Sequence, residues 1–205
     1  MVKARGLEFA APTFSFSRKL ARRKRRRVTS SMLTLVLGGA RSGKSRFAQS
    51  LCEAAKRVAY VATAEPSDEE MRTRIARHQR NRPAEWCTVE APLEIAAAVE
   101  RCAAEHDTIL IDCLTIWLGN FCWQHREADE DSLLVSASRE VERLIAAARS
   151  AQLIVVSNEV GYGLVPDTPV GRLFRDVHGW LNQNVARSAD TVYQVVAGIP
   201  IRIKP

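Results

Sequence analysis

The octapeptide Gly38-Gly39-Ala40-Arg41-Ser42-Gly43-Lys44-Ser45 constrains this chain more than any other stretch. It matches G-x-x-x-x-G-K-[ST] in full, a spacing with a physical rationale. Glycines at 38 and 43 let the backbone wrap with its N–H groups pointing inward, forming an anion nest where a strand feeds a helix. Lys44 then reaches the β- and γ-phosphates of a nucleoside triphosphate, and the Ser45 hydroxyl is placed on Mg²⁺. The flanks agree: the apolar run LTLVL (33–37) precedes the loop and a helical segment follows it. All eight residues are therefore expected to bind nucleotide.

The rest of the chain fits the fold such a loop demands. Short β-branched runs alternate with longer amphipathic stretches, which predicts a three-layer α/β domain built on a mainly parallel sheet. Strands are expected at 33–37, 58–63, 86–90, 108–112, 153–157 and 191–196. Helices are expected near 44–56, 67–80, 92–104, 130–150 and 169–188. The last strand is followed by GIPIRIK (198–204), where Gly198 and Pro200 between two apolar runs predict a turn into an antiparallel edge strand.

Charge is unevenly placed. The chain carries a net +7, but residues 1–30 hold ten Lys or Arg and one acid, leaving the remainder at −2. The segment RKLARRKRRR could be an arm for nucleic acid or an anionic surface, a transit peptide, or a plain extension. A basic, disordered extension over 1–31 before a domain at 32–205 is the reading adopted, since nothing in 33–205 requires the tail. The five cysteines are odd in number and lack C-x-x-C spacing, which fits a reducing, cytoplasmic setting rather than a disulfide framework. No apolar run reaches the ~20 residues of a membrane span.

The loop does not by itself separate a kinase from a switch, a motor or a nucleotidyltransferase. TILIDC ends a buried run with Asp112, a carboxylate where the metal of such a site needs one. The competing reading is an aspartate that only caps the next helix. No N/T-K-x-D sequence for reading guanine occurs, and the chain is short for a motor. A small kinase or a nucleotidyl-transferring enzyme remains.

A histidine enters next. In SDEEMRTRIARHQRNRPAEW (67–86), Ser67 and Glu70 form a capping-box pattern, and Met71, Ile75 and His78 share one helical face. Arg74, Arg77, Arg80 and Arg82 surround His78 with cations suited to a polyphosphate. A neutral imidazole beside an α-phosphorus can displace pyrophosphate and carry the nucleotidyl group. Spacing alone favours a structural histidine on an amphipathic helix. His106, His125 and His178 are read as structural or surface residues.

GGARSGKSRFA, VAYVATAEPSDEEMRTRIARHQRNRPAEW, TVEAP, ILIDCLTIWLGN and VSNEVGYGLVP, with the C-terminal segment 171–204, together resemble one family. It is the bifunctional adenosylcobinamide kinase/adenosylcobinamide-phosphate guanylyltransferase family of cobalamin synthesis. The resemblance implies phosphorylation of adenosylcobinamide by ATP or GTP. It also implies transfer of GMP from GTP through a guanylylated histidine, giving adenosylcobinamide-GDP. His78 matches that histidine, with Lys44 as the other catalytic group. Further nucleotide contacts are implied at Ala62, Thr63 and Ala64, at Gln79, Arg80, Asn81 and Arg82, and at Glu90 and Asp112. Ser45 and Asp112 would hold Mg²⁺. Asn158, Glu159, Gly161 and Gly163 would meet the corrinoid at the carboxyl edge of the sheet. The family also implies a homo-oligomer, a trimer in some members.

Two rivals stand beside this reading. One is a single-function P-loop small-molecule kinase in which His78 is structural. The other is a nucleic-acid-binding P-loop ATPase using the basic tail, which the near-neutral body disfavours.

Overall fold

Leu33–Gly38 (β1) is buried at every residue, as expected of a strand with neighbours on both edges and helices on both faces. The computed structural model describes residues 32–205, apart from 81, 149 and 150. Asn81 and the extension over 1–31 therefore lie outside the described residues.

After β1 come Lys44–Ser50 (α1), Val58–Ala62 (β2), Glu69–Arg80 (α2), Cys87–Glu90 (β3), Ile95–Ala103 (α3) and Thr108–Asp112 (β4). Leu114–Gln124 (α4), Glu130–Ala147 (α5), Gln152–Asn158 (β5), Pro169–Ser188 (α6), Thr191–Val196 (β6) and Ile199–Lys204 (β7) complete the order. The strands form one seven-stranded sheet in the order β3-β2-β4-β5-β1-β6-β7. Every pairing is parallel except β6 with β7. That pair closes through Ala197 and Gly198, both at positive φ, as a two-residue hairpin turn requires. The parallel sheet and its antiparallel edge are as the sequence predicts.

Alternation along the strands builds two cores. Leu33, Leu35, Leu37, Ile109 and Ile111 pack under α3, α4, α5 and α6, while Val36, Tyr60, Leu110, Ile154 and Val156 pack under α1. One helix was not anticipated. Residues 114–124 are apolar nearly all round, so no polar face marks them, although Leu114, Trp117, Leu118 and Phe121 do repeat at helical spacing and are buried. Two predicted helices are also shorter than expected: α1 gives way to turns after Ser50, and α3 begins only at Ile95.

The topology gathers the functional residues. β5 lies between β1 and β4, with Asn158 beside Gly38 and Val156 beside Asp112. The carboxyl ends of all three strands thus open on one edge, where α/β sheets bind ligands.

Candidate nucleotide site

The phosphate loop is built as its glycines suggest. Gly43 has φ +94°, and a Cβ there would sit 3.2 Å from the Gly198 Cα. At Gly38 a Cβ would lie 2.5 Å from the Ser42 Oγ and 2.7 Å from the Val195 carbonyl oxygen, so no side chain fits. The β6–β7 turn braces the loop from behind, its Gly198 N–H donating to the Ser42 carbonyl at 2.8 Å. Lys44 is buried, and its Nζ donates to the Gly39 carbonyl at 3.0 Å across the loop. Burial lowers its pKa, opposed by the nearby Cys113 and Asp112.

Asp112 lies at the centre of a polar cluster. Its Oδ1 accepts from the Ser45 hydroxyl at 3.3 Å, and its Oδ2 accepts from the Tyr60 hydroxyl at 2.7 Å. Burial and then the Asp112 charge push the Tyr60 phenol far up, so it remains a donor at any working pH. The Arg82 guanidinium stacks 3.4 Å over the Tyr60 ring and donates to the Thr88 hydroxyl at 2.6 Å. Tyr60 is a site residue that sequence reasoning missed. The available signal was a phenol inside an otherwise apolar buried strand, where a hydroxyl needs a partner.

α2 roofs this cluster. It has no fully buried residue, but Met71, Ile75 and His78 are partly covered on the predicted face. The helix is capped by Asp68, whose Oδ1 accepts the Met71 N–H at 2.7 Å, rather than by Ser67. His78 Nδ1 stands 3.8 Å from Asp112 Oδ2. Two clefts meet at that ring. One, lined by Tyr60, Met71, Ile75 and Ile116, also reaches Ala62, Ala64, Gln79, Arg82, Glu90 and Asn158. The other runs between the phosphate loop and α2, lined by Arg41, Arg46, Arg74 and Arg77 against Glu69 and Glu70. Lys44, Ser45, Arg74 and His78 line both.

Other predicted residues have different surroundings. The Thr63 side chain is buried away from the clefts; its hydroxyl donates to the Cys113 carbonyl at 2.8 Å and accepts the Cys113 N–H at 2.9 Å. Arg80 is exposed and lines neither cleft. Glu159 lies just outside, its N–H donating to the Gly38 carbonyl at 3.2 Å and its Oε1 accepting from the Gly161 N–H at 3.1 Å. Gly161 and Gly163 lie on the exposed loop beyond.

Of the remaining histidines, His106 and His125 bond back to carbonyls of the helices that precede them, those of Cys102 and Phe121. His178 is fully buried, and burial lowers its pKa to about 4.

Comparison with known proteins follows the same outline. Residues 34–203 match the family described as cobinamide kinase / cobinamide phosphate guanyltransferase. The bifunctional adenosylcobalamin biosynthesis protein CobP of Pseudomonas aeruginosa is 41% identical over 174 residues, covering 84% of this chain and 98% of that one. CobU of Salmonella typhimurium, with the same description, is 39% identical over 181 residues, covering 84% of this chain and all of that one. Among solved structures, an ATPase from the type III secretion system of pathogenic bacteria superposes with a TM-score of 0.56 at 11% identity. It covers 80% of this chain and 51% of its own, and speaks for the fold alone.

Proposed function

The chain belongs to the cobinamide kinase / cobinamide phosphate guanyltransferase family, and from that premise we propose how one site serves both reactions. The protein is a bifunctional enzyme: it phosphorylates adenosylcobinamide with ATP or GTP, then transfers GMP from GTP to give adenosylcobinamide-GDP. Residues 32–205 form the catalytic unit.

The observation that carries the reading is the placement of His78. Its ring lines both the arginine-rich groove beside the phosphate loop and the partly apolar cleft under α2. A triphosphate gripped by Lys44, which lines both, brings its α-phosphorus to that junction. The imidazole Nε2 attacks there: an N–P bond forms, the bond from the α-phosphorus to the bridging oxygen breaks, and pyrophosphate leaves. Lys44 and the groove arginines take up the leaving charge. With Nδ1 facing the Asp112 carboxylate at 3.8 Å, Nε2 is left free and the positive charge developing on the ring is stabilised. The phosphorylated corrinoid then displaces the ring nitrogen, forming a P–O bond as the N–P bond breaks.

In the kinase step the substrate alcohol oxygen bonds to the γ-phosphorus as the β–γ bridging bond breaks and ADP or GDP departs. Ser45 and Asp112 offer a hydroxyl and a carboxylate side by side, hard oxygen donors that fit Mg²⁺ together with triphosphate oxygens. The metal would neutralise charge on those phosphates. The loop after Asn158, with Glu159, Gly161 and Gly163, faces the corrinoid.

Incubation with GTP labelled at the α-phosphate tests the transferase half. The expected result is an acid-labile covalent label on the wild type, absent in His78→Ala, which keeps phosphorylation of adenosylcobinamide. No label on the wild type would leave only the kinase.

A further inference from the structure

A buried polar network at the end of β5 has no assigned role. One carbonyl determines its entire direction. The Asn158 backbone oxygen can only accept, so the atom 3.0 Å away is the Asn182 amide nitrogen. That nitrogen also faces His178 Nδ1 at 3.4 Å, so Nδ1 accepts and the ring proton is on Nε2. The Asn182 oxygen takes the Ser157 hydroxyl proton at 2.7 Å. Ser157 Oγ, its proton used, accepts from the Thr115 hydroxyl at 3.4 Å. His178 Nε2–H donates to Thr115 Oγ1 at 2.9 Å, with Ser157 Oγ also 3.2 Å away. Each of the four side chains therefore donates to the next, and the cycle closes: Thr115 to Ser157, Ser157 to Asn182, Asn182 to His178, His178 to Thr115.

The ring holds one residue from both sides. Thr115 Oγ1 accepts the Asn158 N–H at 2.8 Å, and Asn182 donates to the Asn158 carbonyl. Asn158 stands beside Gly38 at the mouth of the phosphate loop and lines the cleft shared by Lys44, Ser45, His78 and Asp112. Its strand lies between the one that feeds the phosphate loop and the one that ends in Asp112. A neutral carboxamide there can donate to a terminal phosphate oxygen without adding charge.

We propose that Thr115, Ser157, His178 and Asn182 are positioning residues, a closed hydrogen-bonded ring that aims Asn158 at the phosphoryl group being transferred. The inference rests on the kinase reading above. It places Asn158 on the nucleotide side of the site, where family resemblance alone had put it against the corrinoid.

A double-mutant cycle tests it. Thr115→Val removes the hydroxyl with little change of shape, and Thr115→Ser keeps it. Phosphorylation of adenosylcobinamide by ATP is measured for each, alongside Asn158→Ala and the double variant Thr115→Val/Asn158→Ala. The expected kcat losses are about 10- to 100-fold for Thr115→Val and Asn158→Ala, with KM for the corrinoid within about 3-fold of wild type. Thr115→Ser should stay within about 3-fold. The double variant should be no slower than Asn158→Ala alone; multiplied losses, or a loss confined to corrinoid KM, would overturn the proposal.

A second measurement holds even where a variant fails to fold. Nitrogen-15 NMR of the wild type should show His178 neutral with its proton on Nε2, and a proton on Nδ1 would break the ring as drawn. Wild-type protein that does not phosphorylate adenosylcobinamide would overturn the kinase reading, and with it the role of the ring, while the NMR result still judges the ring's existence.

Discussion

His178 should make folding stability pH-dependent in a window set by its own burial. In the unfolded chain the ring titrates near its ordinary value of 6.5, and in the folded protein near about 4. Between those values the unfolded state binds a proton that the folded state refuses. Stability therefore rises with pH across the window and is fully present only above the unfolded value. At about 1.4 kcal/mol per unit, the whole span is worth roughly 3 kcal/mol, of which about 2.5 kcal/mol is gone by pH ~4.5. Protonation puts a hydrogen on Nδ1, where it meets the Asn182 amide hydrogens. Turning that amide round would leave the Asn158 carbonyl without its donor. The assay is urea unfolding of wild type and His178→Gln near pH 7.5 and near pH 4.5. The variant cannot titrate at 178, so its own destabilisation is the same at both. Carboxyls such as Asp107 and Asp129, held below their usual range by Arg57 and by Ser132, are present in both proteins and cancel. The stability gap between the two should narrow by about 2.5 kcal/mol in acid. A gap that stays constant would refute the buried neutral imidazole.

Further outcomes follow from single contacts. Gly38→Ala drives a methyl into the Ser42 hydroxyl and the Val195 carbonyl, so it should cost roughly 1–3 kcal/mol on thermal unfolding and weaken ATP binding at least about tenfold by calorimetry. Tyr60→Phe removes the phenol donor from Asp112, so roughly 2 kcal/mol of stability should be lost on denaturant unfolding, with slower His78 labelling by GTP. Thr168 caps α6 by accepting the Gly171 N–H, and Thr168→Ala should cost about 1 kcal/mol on thermal unfolding while His78 labelling by GTP is retained.

Local signals were enough for much of this protein. The loop 38–45 is contiguous, so one octapeptide carries both the phosphate nest and the strand-turn-helix that holds it. The strands were legible because buried parallel strands are short apolar runs, and α5 because one face is charged. The face of α2 bearing His78 followed from a spacing of four and then three. α4 failed for the opposite reason: being apolar nearly all round, it shows little contrast between its faces. Ser67 was preferred to Asp68 as the cap of α2 because two adjacent residues can each cap a helix, and only the backbone path chooses between them.

The sequence by itself determined that a triphosphate is held, that a sheet with helices on both faces holds it, and that His78 turns toward the body of the protein. Tertiary structure alone decided what surrounds the phosphates. The order β4-β5-β1 sets Asp112, Asn158 and Gly38 side by side, although they lie far apart along the chain. The pairing of β2 with β4 brings Tyr60 to Asp112, and packing of α4 and α6 against β5 lets Thr115, Ser157, His178 and Asn182 close a ring. Periodicity records which way a side chain faces along its own element. Which strand lies next to which is set by packing between elements, and no local pattern carries it.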